Sequence, residues 1–122
     1  MKIRLFVLLI TMFLGACTVS SLSISELEVV PYDVQGKIDS EYSLQLIFGH
    51  DNIAYIVYQS NGTVLTEIEA EGKALFVKVA EADQQNGAVK QHVYKVTLDP
   101  EHEEIVVFIN EEPISFDNVT SL

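Results

Sequence analysis

Polar and apolar residues alternate along most of the chain with a period of two, the signature of strands that bury one face. Leu44, Leu46 and Phe48 alternate with Gln45, and Ile53 to Tyr58 is apolar on both faces and rich in β-branched and aromatic side chains. Leu75, Val77 and Val79 share one face of a strand over 74–80 while Lys78 takes the other. Over 89–98, His92, Tyr94, Val96 and Leu98 fall on one face, with Val93, Lys95 and Thr97 on the other. Ile105 to Ile109 is the most continuously apolar strand, and Ile114 and Phe116 alternate through a short last one.

Turn chemistry punctuates these runs. Ser60-Asn61-Gly62-Thr63 carries Asn-Gly, which suits a two-residue type I′ hairpin. Glu71-Gly72 and Asp99-Pro100-Glu101-His102 read as turns, as does Asn110-Glu111-Glu112-Pro113, and Asp83 to Ala88 reads as a longer loop. Glu26 to Pro31 reads as a first strand, and Tyr32 to Tyr42 as a loop or helical turn. The expectation is an all-β fold, a small antiparallel sandwich or strongly curved sheet of six or seven strands.

The N-terminus breaks this pattern. Lys2 and Arg4 precede an apolar run from Leu5 to Leu14, interrupted by Thr11 alone, that ends in Gly15-Ala16-Cys17. A basic start, an apolar stretch and small residues make an export signal. The run is shorter than the ~20 residues needed to span a bilayer as a helix. Leu14-Gly15-Ala16-Cys17 resembles the lipobox of bacterial lipoprotein precursors. That resemblance implies a signal peptide over 1–16, cleavage between Ala16 and Cys17, and acylation of Cys17. Two or three acyl chains, at ~0.8 kcal/mol per buried methylene, anchor a protein stably where one would not. The implied location is the extracytoplasmic side of a bacterial membrane. Residues 17–25, serine-rich, then read as the lipidated cysteine and a tether, and 26–122 as the domain. Fully extended, residues 18–25 reach at most ~26 to 29 Å.

Charge narrows the function classes. The chain has 7 basic and 18 acidic residues, net −11, and loss of Lys2 and Arg4 with the signal moves this to −13. That sign argues against nucleic acid and against adhesion to anionic lipid headgroups. The membrane partner is therefore reached through the lipid on Cys17. With the one cysteine acylated, no thiol remains for a disulfide or a thiolate site.

Several residues invite chemistry. Glu67, Glu69 and Glu71 have strand spacing that puts three carboxylates on one face, and Asp99 to Glu104 crowds Asp99, Glu101, His102, Glu103 and Glu104 together. Glu67, Glu69, Asp99, Glu101 and His102 are the candidate cation ligands, although EF-hand and His-x-x-x-His spacings are absent. His92, on an apolar strand face, reads as a partly buried, hydrogen-bonded residue rather than a general base. No Gly-x-Ser-x-Gly elbow or Gly-rich phosphate loop is present, so the sequence assembles no catalytic constellation and names no cofactor. Asn61-Gly62-Thr63 and Asn118-Val119-Thr120 match the glycosylation sequon, which would go unused in a bacterial lipoprotein. Tyr55, Tyr58 and Tyr94 are candidates for an aromatic partner-binding patch.

The run from Tyr55-Ile56-Val57-Tyr58 through Gly72-Lys73-Ala74-Leu75-Phe76-Val77-Lys78-Val79 to Gln91-His92-Val93-Tyr94-Lys95-Val96 resembles the PrcB-type domain of accessory lipoproteins. The Glu-Leu-Glu-Val-Val opening at residue 26 is similar too. That family's Thr-Gly-Gly-Tyr turn and proline-rich loop are missing, so no functional residue is carried over. The resemblance implies a binding or accessory module for another envelope protein. The rival expectations are a cation or small-ligand binder and a carboxylate-dependent envelope hydrolase.

Overall fold

The computed structural model describes residues 22–82 and 88–122. The expected signal peptide, Cys17, and the loop over 83–87 lie outside the described residues. Among the described residues, nine strands and one short helix run in the order β1 (Ser23–Glu26), α1 (Tyr32–Gln35), β2 (Leu44–Phe48), β3 (Ile53–Ser60), β4 (Thr63–Glu71), β5 (Ala74–Ala82), β6 (Lys90–Thr97), β7 (Glu104–Ile109), β8 (Glu112–Ile114) and β9 (Asn118–Ser121). Among the described residues no helix is long and apolar enough to cross a membrane.

The strands form two open sheets, ordered β1-β6-β3-β2-β9 and β4-β5-β7-β8. The all-β sandwich expected from the alternation is present, with nine strands instead of six or seven. It is mixed and not wholly antiparallel, because β9 runs parallel to β2 and β7 runs parallel to β5. The face assignments follow the sequence pattern. Leu44, Leu46, Ala54, Ile56, Tyr58, Tyr94, Val96 and Leu98 meet Leu75, Val77, Val79 and Val107 in the inter-sheet core.

Two positions in the chain depart from the expected pattern for identifiable reasons. Residues 23–25, expected as the end of the tether, form β1 together with Glu26, expected to open the first strand; β1 is antiparallel to β6. Leu22 and Ile24 pack against the core, and this apolar contact draws the serine-rich segment into the sheet. The sheet therefore begins at Ser23, before the expected domain start at residue 26, and residues 27–31, expected to continue the first strand, carry the chain away from β1. At Asn61-Gly62 there is no hairpin. The chain leaves one sheet at Ser60 and enters the other at Thr63. The Gly62 N–H donates to Ser60 Oγ at 3.0 Å, and Ser60 Oγ donates to the Glu81 carboxylate. Among the described residues, positive φ occurs instead at Asp51, Asn52, Gly72, Asn110 and Glu111. Asp51-Asn52 closes the β2–β3 hairpin, with the Ile53 N–H donating to the His50 carbonyl at 3.2 Å. Asn110-Glu111 closes β7–β8, and Gly72 lies in the expected β4–β5 turn.

The outer face of the five-stranded sheet is covered by its own chain. Val34 of α1, fully buried, packs with Ile47, Val57 and Val93, and Leu27, Val30 and Ile38 join them. One turn of helix does not hold itself in water. A buried side chain fixes it: Gln45 Nε2 donates to the Lys37 carbonyl at 2.6 Å, and the Asp39 N–H donates to Gln45 Oε1 at 3.1 Å. The last strand is held at its start by Asp117, whose Oδ2 accepts the Ser43 and Leu44 N–H groups at 3.0 Å each.

Candidate functional site

The four-stranded sheet presents its outer face to solvent. The residues there follow from parity. Leu75, Val77 and Val79 point inward, so Phe76 and Lys78 point outward; Val107 points inward, so Phe108 points outward. On β4, Val64 and Ile68 pack on the core, leaving Leu65, Glu67, Glu69 and Glu71 outside. The register sets Glu67 opposite Lys78, Glu69 opposite Phe76, and Lys78 beside Phe108. The two phenylalanine rings meet edge to face, with centroids 5.1 Å apart at 65°. Together these residues line a shallow groove of ≈ 860 Å³ that reaches Glu111 at the β7–β8 turn.

Four carboxylates and one ammonium share this groove. Lys78 Nζ lies 2.6 Å from Glu69 Oε2. The Lys78 pKa is raised, first by that hydrogen bond, then by the Glu69 charge, with Glu67 and Glu71 adding to it. Both members of the pair are about half exposed, so water screens it and it contributes little to stability. Chemically, the face offers edge-on aromatic surface bordered by acceptors for cationic side chains.

The other sequence candidates are distributed elsewhere. Asp99, Glu101 and His102 do converge, with one ligand atom from each lying within 4.8 Å of the others. The turn expected there forms, the His102 N–H donating to the Asp99 carbonyl at 3.1 Å. Both His102 ring nitrogens are shielded from water without a hydrogen-bond partner. Three donors on one turn fall short of the six to eight oxygens a hard cation takes. Glu67 and Glu69 lie on the outer sheet face and are not members of that group. They and the Asp99 turn therefore do not make one cation site.

Tyr58 and Tyr94 are core residues, 8% and 3% exposed, and Tyr55 is half-buried against the layer that covers the other sheet. The three tyrosines do not form a surface patch. His92 is buried as expected, its Nδ1 3.3 Å from Glu26 Oε1 and its ring stacked on Tyr94, while Nε2 has no partner. Burial, and then the Glu26 charge, push the Tyr94 hydroxyl well above the usual phenol range. The Ser60 hydroxyl donates to the Glu81 carboxylate.

Phe76 and Phe108, the aromatic residues that do face outward, were not singled out by the sequence pattern. The signal was present, since each adjoins a residue assigned to the core and must lie on the opposite face. No protein-family model, no curated protein and no solved structure matches this chain.

Proposed function

We propose that this protein is an exported lipoprotein, held outside a bacterial membrane through acylated Cys17, whose domain binds another envelope protein with the outer face of the four-stranded sheet. One observation carries the binding face. The outer face of the five-stranded sheet has a cover built from residues 27–42, whereas the opposite outer face keeps Phe76 and Phe108 at the surface among Glu67, Glu69, Glu71 and Glu111. Charge complementarity names the occupant as a protein segment bearing Lys or Arg beside apolar groups. The sequence around Leu14-Gly15-Ala16-Cys17 supports the anchor. Because β1 starts at Ser23, only residues 18–22 separate Cys17 from the fold, a reach of at most about 17 to 18 Å. The binding face would then work close to the membrane.

A photoreactive phenylalanine analogue placed at Phe76 or Phe108 tests the face in intact cells, with the same analogue at Tyr32, 92% exposed on the opposite layer, as the control. The expected result is a discrete adduct from the first two positions, absent from Tyr32 and lost in Glu67→Lys/Glu69→Lys. Equal labelling from Tyr32, or none from Phe76 and Phe108, would overturn the reading. Palmitate incorporation that survives Cys17→Ser would overturn the anchor.

A further inference from the structure

The edges of the two sheets are unequal. β1 and β9, which bound one sheet, have four residues each, and β8, at one edge of the other, has three with Pro113 among them. Short edge strands and edge proline are the ordinary means of blunting a sheet against further pairing. β4 is nine residues long, contains no proline, and among the described residues its strand pairing is with β5 alone. β1 comes near it from the other sheet but is paired to β6. On the side away from β5, residues 64–71 of β4 offer the N–H and C=O groups of alternate residues, a template for another strand.

The side chains beside that edge limit what can be added. Glu67, Glu69 and Glu71 stand on the outward face, and the cation near them, Lys78, lies on the β5 side and is already held by Glu69. A second copy of this chain pairing antiparallel through β4 would bring glutamate rows together, and like charges directly opposite destabilise a sheet. A strand with basic residues at every second position would instead place one cation beside each glutamate, since both rows repeat every ~6.8 Å.

Resting on the binding face proposed above, we infer that β4 binds its partner by strand addition: an extended partner segment with alternating Lys or Arg pairs along the free edge and sets its cations against Glu67, Glu69 and Glu71. Its main-chain hydrogen bonds supply affinity, and the alternation supplies specificity. The glutamates thus have two effects, blocking self-pairing and selecting a basic strand.

The test uses the purified full-length protein and three nine-residue peptides, one alternating Lys with Thr, one of the same composition with the lysines in a block, and one alternating Glu with Thr. Hydrogen exchange read by mass spectrometry and calorimetry report the mode and the affinity. The alternating basic peptide is expected to slow exchange of β4 amides and to bind about tenfold more tightly than its block isomer, three cross-strand charge pairs being the difference. The acidic peptide is expected to give no protection, and added salt should weaken the basic peptide's binding. Glu67→Lys/Glu69→Lys should abolish protection, and the neutral set Glu67→Gln/Glu69→Gln/Glu71→Gln, which adds no repulsion, should reduce the alternating peptide to the affinity of the block isomer. Equal affinity of the two basic peptides, absence of any binding, or binding without protection of β4 would overturn strand addition. Binding that perturbs Phe76 and Phe108 while β4 exchanges as before would leave the face itself standing, whereas crosslinks absent from Phe76 and Phe108 in cells would remove that face.

Discussion

Gln45 has no exposed surface and faces outward from the five-stranded sheet, toward a layer that is otherwise tied to the sheet by the Leu27 N–H and by Gln59, whose Nε2 donates to the Ser40 and Tyr42 carbonyls. Its amide reads the backbone of that layer at two points, accepting from the Asp39 N–H and donating to the Lys37 carbonyl. Gln45→Leu keeps the volume close and removes both bonds. At about 0.5 to 1.5 kcal/mol net per hydrogen bond, the expected loss is about 1 to 3 kcal/mol, toward the upper end where a freed backbone group finds no water. For a domain of this size each kcal/mol lowers Tm by about 4 to 8 °C. Gln45→Ala adds a cavity and should be worse.

The loss should also be local. Residues 27–42 have one fully buried side chain, Val34, and apart from Leu27 N–H to Val93 C=O at 2.8 Å their backbone–backbone bonds close short turns, such as Lys37 N–H to Val34 C=O at 3.0 Å. Such a unit opens below the global unfolding free energy. Hydrogen exchange in Gln45→Leu should therefore accelerate in 34–38 more than in β5 or β6, and uncovered Ile47, Val57 and Val93 should bind a hydrophobic dye. Urea unfolding gives the global term. An unchanged Tm, or exchange that rises equally in the layer and in both sheets, would refute the argument that Gln45 pins the cover.

Leu75→Ala, at a fully buried site between the sheets, should cost about 2 to 5 kcal/mol by urea unfolding; a loss below 1 kcal/mol would mean the inter-sheet core is looser than its burial implies. Glu111→Gly should stabilise by about 0.5 to 1 kcal/mol, because Glu111 sits at φ 73° in a two-residue turn where glycine carries no Cβ penalty; a drop in Tm would refute the strain. Tyr94 is neutral in the fold and resists ionisation, so its contribution is intact below the unfolded phenol pKa of about 10 and is lost as pH rises above it. Absorbance at 295 nm should show a tyrosine phase that appears only as the domain unfolds in alkali, and Tyr94→Phe should diminish that phase; an unchanged phase in Tyr94→Phe would contradict it.

Where strands are buried on one face, the sequence was legible to the level of individual side chains. His92, Tyr94, Val96 and Leu98 point inward and Lys78 points outward, as the alternation requires. Turn chemistry was legible only where its consequence is local. Gly72 supplies a positive φ between paired strands, but Asn61-Gly62 has the same turn-forming composition and joins strands in different sheets. Whether two neighbouring strands pair depends on contacts distant in sequence, such as Ser60 with Glu81, and a four-residue window does not contain them. β1 and β9 were missed for a related reason. Each has four residues, polar except for one apolar position, Ile24 in β1 and Val119 in β9, and each becomes a strand because a neighbour, β6 or β2, supplies its partners.

The aromatic surface expected at tyrosines lies at phenylalanines instead. A phenol hydroxyl looks like a surface group, yet parity puts Tyr58 and Tyr94 with the inward residues and Phe76 and Phe108 with the outward ones. Parity prevailed because moving one residue to the other face would move its whole strand. The same constraint bears on the glutamates. Placed at alternate positions of a strand whose other face is core, Glu67, Glu69 and Glu71 cannot turn away from one another, and their ~6.8 Å spacing is shorter than the ~8 Å screening length at physiological salt. Lys78 relieves part of that repulsion and is pulled toward its charged form in doing so. The remainder is carried by the unbound protein and is removed by whatever brings cations to the β4 side. The row of like charges therefore favours a bound basic strand over the free edge, and exchange of the β4 amides with and without such a strand measures that preference.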